Sequence, residues 1–159
     1  MEIGFKMDIT GYRSMAKQVQ ALIEEDPWYV AVLSNTAALI WDQLKDINWA
    51  GFYIVRDGRL VLGPFQGKVA CIHIEKSRGV CGAAWREDCT QLVEDVHQFP
   101  GHIACDSASN SEVVVPIHKD GEVVAVIDID SPLKGRFGAD DARGLEEIAA
   151  VLGSSVLWE

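Results

Sequence analysis

Two apolar runs, Val113-Val114-Val115-Pro116-Ile117 and Val123-Val124-Ala125-Val126-Ile127, flank the turn Lys119-Asp120-Gly121. Together they constrain the fold more than any other stretch of the chain. Val and Ile are stiff at χ1 and pack well on a pleated surface, so they favour strand over helix. Asp-Gly supplies the left-handed residues that a tight hairpin needs. The spacing predicts antiparallel strands over 112–118 and 122–129. The first begins on Glu112, and the second closes on Asp128-Ile129-Asp130, whose two carboxylates at i and i+2 share one face of an extended chain. A loop of small polar residues from Phe99 to Ser111, carrying Cys105, leads into this hairpin. A thiol, a polar loop and three acids near strand ends make a place for chemistry, and the rest of the chain reads as its scaffold.

Upstream, Thr10 is a candidate helix cap, followed by Met15, Val19, Leu22 and Ile23 at helical spacing to about Glu25. Pro27 opens a second helix with Leu33, Ala37, Ile40 and Leu44 on one face. Aromatic and β-branched residues over 49–55 predict a strand, and Arg56-Asp57-Gly58 turns it into a second at Leu60-Val61-Leu62. Further strands are expected at 69–74 and 91–96, with a short helix from Gly79 to Arg86 between them. Gly138, Asp140 and Asp141 open a last helix with Leu145, Ile148, Ala149 and Leu152 on one side. Two helices, about six strands with an inserted helix, and a terminal helix read as α+β around a mostly antiparallel sheet, one domain over 1–159. The terminal helices are expected to pack on one face, leaving the other face and the 97–111 loop to form the pocket.

The chain has 159 residues, 48% of them hydrophobic, enough for a sizeable core. A formal net charge of −10 argues against binding nucleic-acid backbones or anionic membranes, because no basic patch is present to displace counterions. No apolar run approaches the ~18–20 residues of a membrane span. The start, Met1-Glu2-Ile3-Gly4-Phe5-Lys6, lacks the basic-then-apolar layout of a secretory signal. A cytoplasmic location is the expectation. Thiols there stay reduced unless they are catalytic or metal-bound, which directs attention to Cys71, Cys81, Cys89 and Cys105.

Cys105 follows His102 in its polar loop and precedes Asp106; it reads either as a nucleophile or as an inert loop thiol. Cys81 falls in the first turn of the short helix, where the helix dipole favours a thiolate, or is filler at a tight helix entry. Cys71 is expected mid-strand, a place usually taken by a small apolar residue. Cys89, behind Arg86-Glu87-Asp88, reads as incidental. Cysteine spacings of 10, 8 and 16 residues offer no Cys-x₂₋₄-Cys pair, and Cys71-x-His73 and Cys105 with His102 are weak substitutes. No metal is therefore expected, and a structural zinc protein is the weakest of the competing readings. Gly63-Pro64-Phe65-Gln66-Gly67-Lys68 is not a phosphate loop: it has three residues between its glycines, and Val69 follows the Lys. Glu112, Asp128 and Asp130, if they converge, can hold an ammonium group while one of them stays protonated. Trp49 and Tyr53, four apart on a strand, share a face and read either as core or as a wall for a small apolar group.

The segments Gly63-Pro64-Phe65-Gln66-Gly67-Lys68-Val69-Ala70-Cys71, Gly79-Val80-Cys81-Gly82, Asp95-Val96, Gly101-His102-Ile103-Ala104-Cys105-Asp106, Ser109-Asn110-Ser111-Glu112 and Asp128-Ile129-Asp130-Ser131 occur in this order. In order and spacing they resemble the free methionine-(R)-sulfoxide reductases, a catalytic branch of the GAF domain fold, from about Trp28 to the last helix. The resemblance implies a central six-stranded antiparallel sheet with helices on both faces, usually in a homodimer. It places the family's three cysteines on Cys71, Cys81 and Cys105, and matches no family position to Cys89. It also implies that Glu112, Asp128 and Asp130 hold the substrate and that Trp49 and Tyr53 wall its methyl group.

The implied chemistry is thiol-dependent reduction of the free amino acid. A thiolate attacks the sulfoxide sulfur while an acid protonates the oxygen. Methionine departs, leaving a sulfenic acid that a second thiol condenses to a disulfide. An external dithiol, thioredoxin, resets the enzyme, and no other cofactor is called for. Cys105 is the expected nucleophile and Cys71 its resolving partner, with Cys81 the rival. Backbone N–H groups in the loop from Ser107 to Ser111 are the expected partners of the substrate carboxylate. The competing reading is a non-catalytic GAF sensor of a small molecule or of redox state.

Overall fold

In a computed structural model, residues 7–102 and 108–159 are described. The chain opens with helix α1 (Ile9–Glu25) and helix α2 (Tyr29–Gln43). Asp8, not Thr10, caps α1: its side-chain oxygen accepts from the Gly11 N–H at 2.9 Å. An Asp two residues upstream satisfies a first-turn N–H, and Thr10 falls inside that turn. Strands β1 (Trp49–Arg56) and β2 (Arg59–Gly67) then form a hairpin through Asp57 and Gly58, whose φ values of 53° and 77° are both left-handed.

β2 is longer than the sequence suggests, because Gly63 to Gly67 continues the pairing with β1 as far as Trp49 opposite Gly67. Pro64 is tolerated there because strand β3, only His73–Ile74, pairs with Leu60 and Val61 and has ended before Pro64 is reached. The expected strand over 69–74 is corrected accordingly. Val69 to Ile72 lie outside the ladder with Val69 89% exposed, and Cys71 precedes a strand rather than sitting within one.

Helix α3 (Gly79–Glu87) leads to strand β4 (Gln91–Val93), shorter than expected because a 3-10 turn takes Val96–Gln98. Strands β5 (Ser111–Lys119) and β6 (Glu122–Ser131) form the second Asp-Gly hairpin, and helix α4 (Ala139–Ser155) follows. The sheet order is β3-β2-β1-β6-β5-β4, antiparallel at every described pairing.

Strand alternation divides the side chains between two layers. Phe52, Val115, Ile117, Ile127 and Ile129 face α1, α2 and α4, meeting Met15, Val19, Leu33, Ile40, Leu145 and Ile148 in the larger core. Trp49, Tyr53, Val114 and Val126 face the opposite way, where α3 supplies Val80, Cys81 and Ala84. Helices therefore lie on both faces, three against one. α1 packs on α4 so closely that a Cβ at Gly144 would stand 2.0 Å from the Tyr12 ring. The short α3 covers only part of its face. The remainder is the space in which the polar residues of β5 and β6 lie.

Candidate active site

The alternation that sends Ile127 and Ile129 into the large core sends Asp128 and Asp130 to the α3 face. Asp130 lies opposite Trp49 on one neighbouring strand and opposite Glu112 on the other. Glu112 and Asp128 are 7% and 6% exposed, so these strand-end acids are buried rather than solvated. Asp130 is half-buried. The three carboxylates line one cavity together with Cys81, Trp49 and Tyr53.

Burial drives the electrostatics. Glu112 is pushed well above the usual carboxyl range by loss of solvent, and the charges of Asp128 and Asp130 push it further. It keeps its proton to higher pH than a solvated carboxyl and in that form can donate its one O–H to Asp128 or to Asp130. Burial raises Asp128 as well, while the hydrogen bonds it accepts from Glu112 and Cys81, and the nearby His102, pull it back. The Cys81 thiol donates to Asp128 Oδ2 at 3.3 Å. Asp128 Oδ1 is buried with no hydrogen-bond partner among the described residues.

Of the two readings of Cys81, the electrostatics oppose the thiolate. Cys81 does lie in the first turn of α3, but burial and then the adjacent Asp128 and Glu112 carboxylates push its thiol well up. Desolvation and two acids outweigh the helix dipole. Cys71 is half-buried and disulfide-bonded. Its carbonyl accepts from the Tyr53 hydroxyl at 2.9 Å. Cys89 is a free, exposed thiol within hydrogen-bonding distance of the Gln91 amide, away from the cavity. Cys105 lies outside the described residues, as does Ser107 at the start of the loop expected to meet a carboxylate.

Trp49 and Tyr53 stack with ring centroids 5.9 Å apart and planes at 23°. Phe65, which the sequence did not single out, stacks behind Trp49 at 5.1 Å. Gly51 makes this possible, since a Cβ there would lie 2.3 Å from Phe65 Cβ. The Trp49 indole N–H donates to the Lys68 carbonyl at 3.1 Å, which fixes the ring and anchors the segment leading to Cys71.

His102, Ser109, Val69 and Ala70 also line the cavity, and of these only Ser109 falls in the loop expected to meet the substrate carboxylate. His102 is kept neutral to lower pH by burial and by His97, whose ring stands edge-on at 6.2 Å. Asn48 donates to Ser109 Oγ at 3.1 Å, and its backbone N–H donates to the Asp130 carbonyl at 2.9 Å, so the loop entering β5 is tied to the end of β6. An exposed-looking Asn before a strand carries no sequence signal for this. The site is thus a small cavity with an aromatic wall, an acidic floor holding at least one proton, and a thiol within the acids.

Residues 31–156 match the GAF domain family. The chain is 49% identical to the free methionine-R-sulfoxide reductase of Escherichia coli, over 89% of this chain and 86% of that protein. Among solved structures, the reduced form of the fRMsr of Staphylococcus aureus superposes with a TM-score of 0.90 at 46% identity, covering 99% of each chain. The free methionine-R-sulfoxide reductase of Neisseria meningitidis in complex with its substrate gives 0.88 at 39% identity, over 96% of this chain and 92% of that one. With this fold and these relatives, the chain belongs to the GAF domain family and, within it, to the free methionine-R-sulfoxide reductases.

Proposed function

We propose that this protein is an oxidoreductase that reduces free L-methionine-(R)-sulfoxide to methionine. The observation that carries the reading is the convergence of buried Glu112 and Asp128 and half-buried Asp130 on one cavity with the stacked Trp49 and Tyr53. The acids match an α-ammonium group, and the aromatic faces match the methyl and sulfur end of the side chain. A residue inside a peptide has no such ammonium, so the acids would lie buried without a countercharge.

A thiol attacks the sulfoxide sulfur. Its oxygen passes to the cysteine as the sulfenic acid, and methionine leaves as the thioether. The proton held at Glu112 passes to the sulfoxide oxygen, which makes the sulfur more electrophilic toward the thiol and leaves that oxygen as the hydroxyl of the sulfenic acid. The sulfenic acid then condenses with a second thiol, forming the disulfide and releasing water. A dithiol such as thioredoxin exchanges with that disulfide and restores both thiols. Cys105 is the nucleophile and Cys71 the resolving thiol in this scheme. Two facts support the assignment over Cys81: the Cys81 thiol is held protonated as a donor to Asp128, and Cys71 is engaged in a disulfide. The enzyme works as a homodimer in the cytoplasm.

The test is single-turnover release of methionine from the free R sulfoxide by wild type and by Cys71→Ser, Cys81→Ser and Cys105→Ser. Loss of the first turnover in Cys105→Ser alone supports the scheme. Loss in Cys81→Ser alone exchanges the roles. Binding without turnover in the wild type replaces the reductase with a sensor.

A further inference from the structure

We propose that Cys81, Glu112 and Asp128 form a binding site for a borderline-soft divalent cation of the zinc and cadmium class. One donor atom from each residue lies within 4.8 Å of the other two, and all three residues are buried. The residues come from α3, β5 and β6, so three rigid elements converge on one point. The Cys81 Sγ to Asp128 Oδ2 distance is 3.3 Å. A tetrahedral zinc bound to a thiolate and a carboxylate holds those two donors roughly 3.5 Å apart, so this edge of the site needs little adjustment.

The donors alone would be an acidic cluster with a cysteine. What points to a ligand is Asp128 Oδ1, buried and without a hydrogen-bond partner among the described residues, on a side chain that is 6% exposed. A cation that takes Asp128 through both oxygens keeps the Oδ2 edge with Cys81 and gives Oδ1 its partner. One thiolate and two carboxylates suit zinc or cadmium, and the sulfur argues against magnesium or calcium. Three protein ligands leave a fourth position open to the cavity, for water. The cation displaces the thiol proton and the proton held at Glu112 on binding. It also occupies the acids proposed above for the substrate ammonium, so metal and amino acid exclude each other.

This inference does not need the reductase reading, because metal binding is read without turnover. The experiment uses the reduced full-length variant Cys71→Ser/Cys89→Ser/Cys105→Ser, which keeps Cys81 as its one thiol. Cadmium is titrated while its thiolate charge-transfer absorbance is followed, and zinc is then added in competition. One equivalent of cadmium should raise the band, zinc should abolish it, and Asp128→Asn or Glu112→Gln should weaken cadmium binding at least tenfold in the same background. Either carboxylate variant suffices if circular dichroism shows that the other is misfolded. A band that is absent, or unchanged in the folded carboxylate variants, overturns the site.

Discussion

At the scale of single residues, Glu112 holds a proton at pH values where it would be ionised in an unfolded chain. The native state therefore binds more protons than the unfolded state from about the ordinary value of 4.5 upward. Stability contributed by this group is complete below that pH and falls as pH rises toward the folded value. Glu112→Gln keeps the shape and removes the titration. The thermal midpoint of the variant should gain on that of wild type between pH 5 and 8, and a constant gap would refute the assignment. The same variant cannot carry charge or release a proton, so kcat/KM for the free sulfoxide should fall about 100-fold. Cys81 and Cys89 make a second contrast. One is buried with its thiol pushed up, the other is exposed. Iodoacetamide should label Cys89 at least tenfold faster than Cys81 in the reduced protein, as read by peptide mass spectrometry.

At the scale of elements, Gly51 and Phe65 carry the aromatic wall. Gly51→Ala places a Cβ against Phe65 and pushes β2 away from β1, which should cost about 1–3 kcal/mol in urea unfolding. KM should rise as Trp49 loses its backing ring, whereas an unchanged KM would mean that Phe65 does not orient it. These elements also show what the sequence could convey. Both Asp-Gly hairpins and the i, i+2 pair Asp128 and Asp130 were legible because local spacing alone decides them. The end of β2 was not, since Gly63-Pro64 reads as a break and is tolerated only because β3 stops short. The same shortening moved Cys71 out of a strand. The suppressed thiolate at Cys81 was hidden for a related reason. Its helix position is local, but the two acids that oppose ionisation arrive from β5 and β6. His102 and Ser109 gave no signal of their own because their place depends on a loop folding back over the sheet.

At the scale of the whole molecule, the two sheet faces divide the labour. Three helices close one face with an apolar core, so the other can leave part of its surface to polar groups under the short α3. A buried polar network holds the closed face to the open one. The Tyr12 hydroxyl on α1 donates to Asp141 Oδ1 on α4 at 2.6 Å, and Arg136 faces Asp141 Oδ2 at 3.6 Å. Arg136 Nε also donates to the Lys45 carbonyl after α2, and its backbone N–H donates to Ser111 Oγ, one residue from Glu112. Truncating one partner of such a pair leaves the other charge buried, at a cost of about 3–5 kcal/mol. Arg136→Met should therefore lower stability by that amount in urea unfolding. Asp141→Asn added to it should recover part of the loss, because the stranded charge is then gone. Since no member of the network lines the cavity, turnover measured well below the melting transition should stay close to wild type. A large fall in kcat with the fold intact would instead make the network part of the positioning of Glu112 through Ser111.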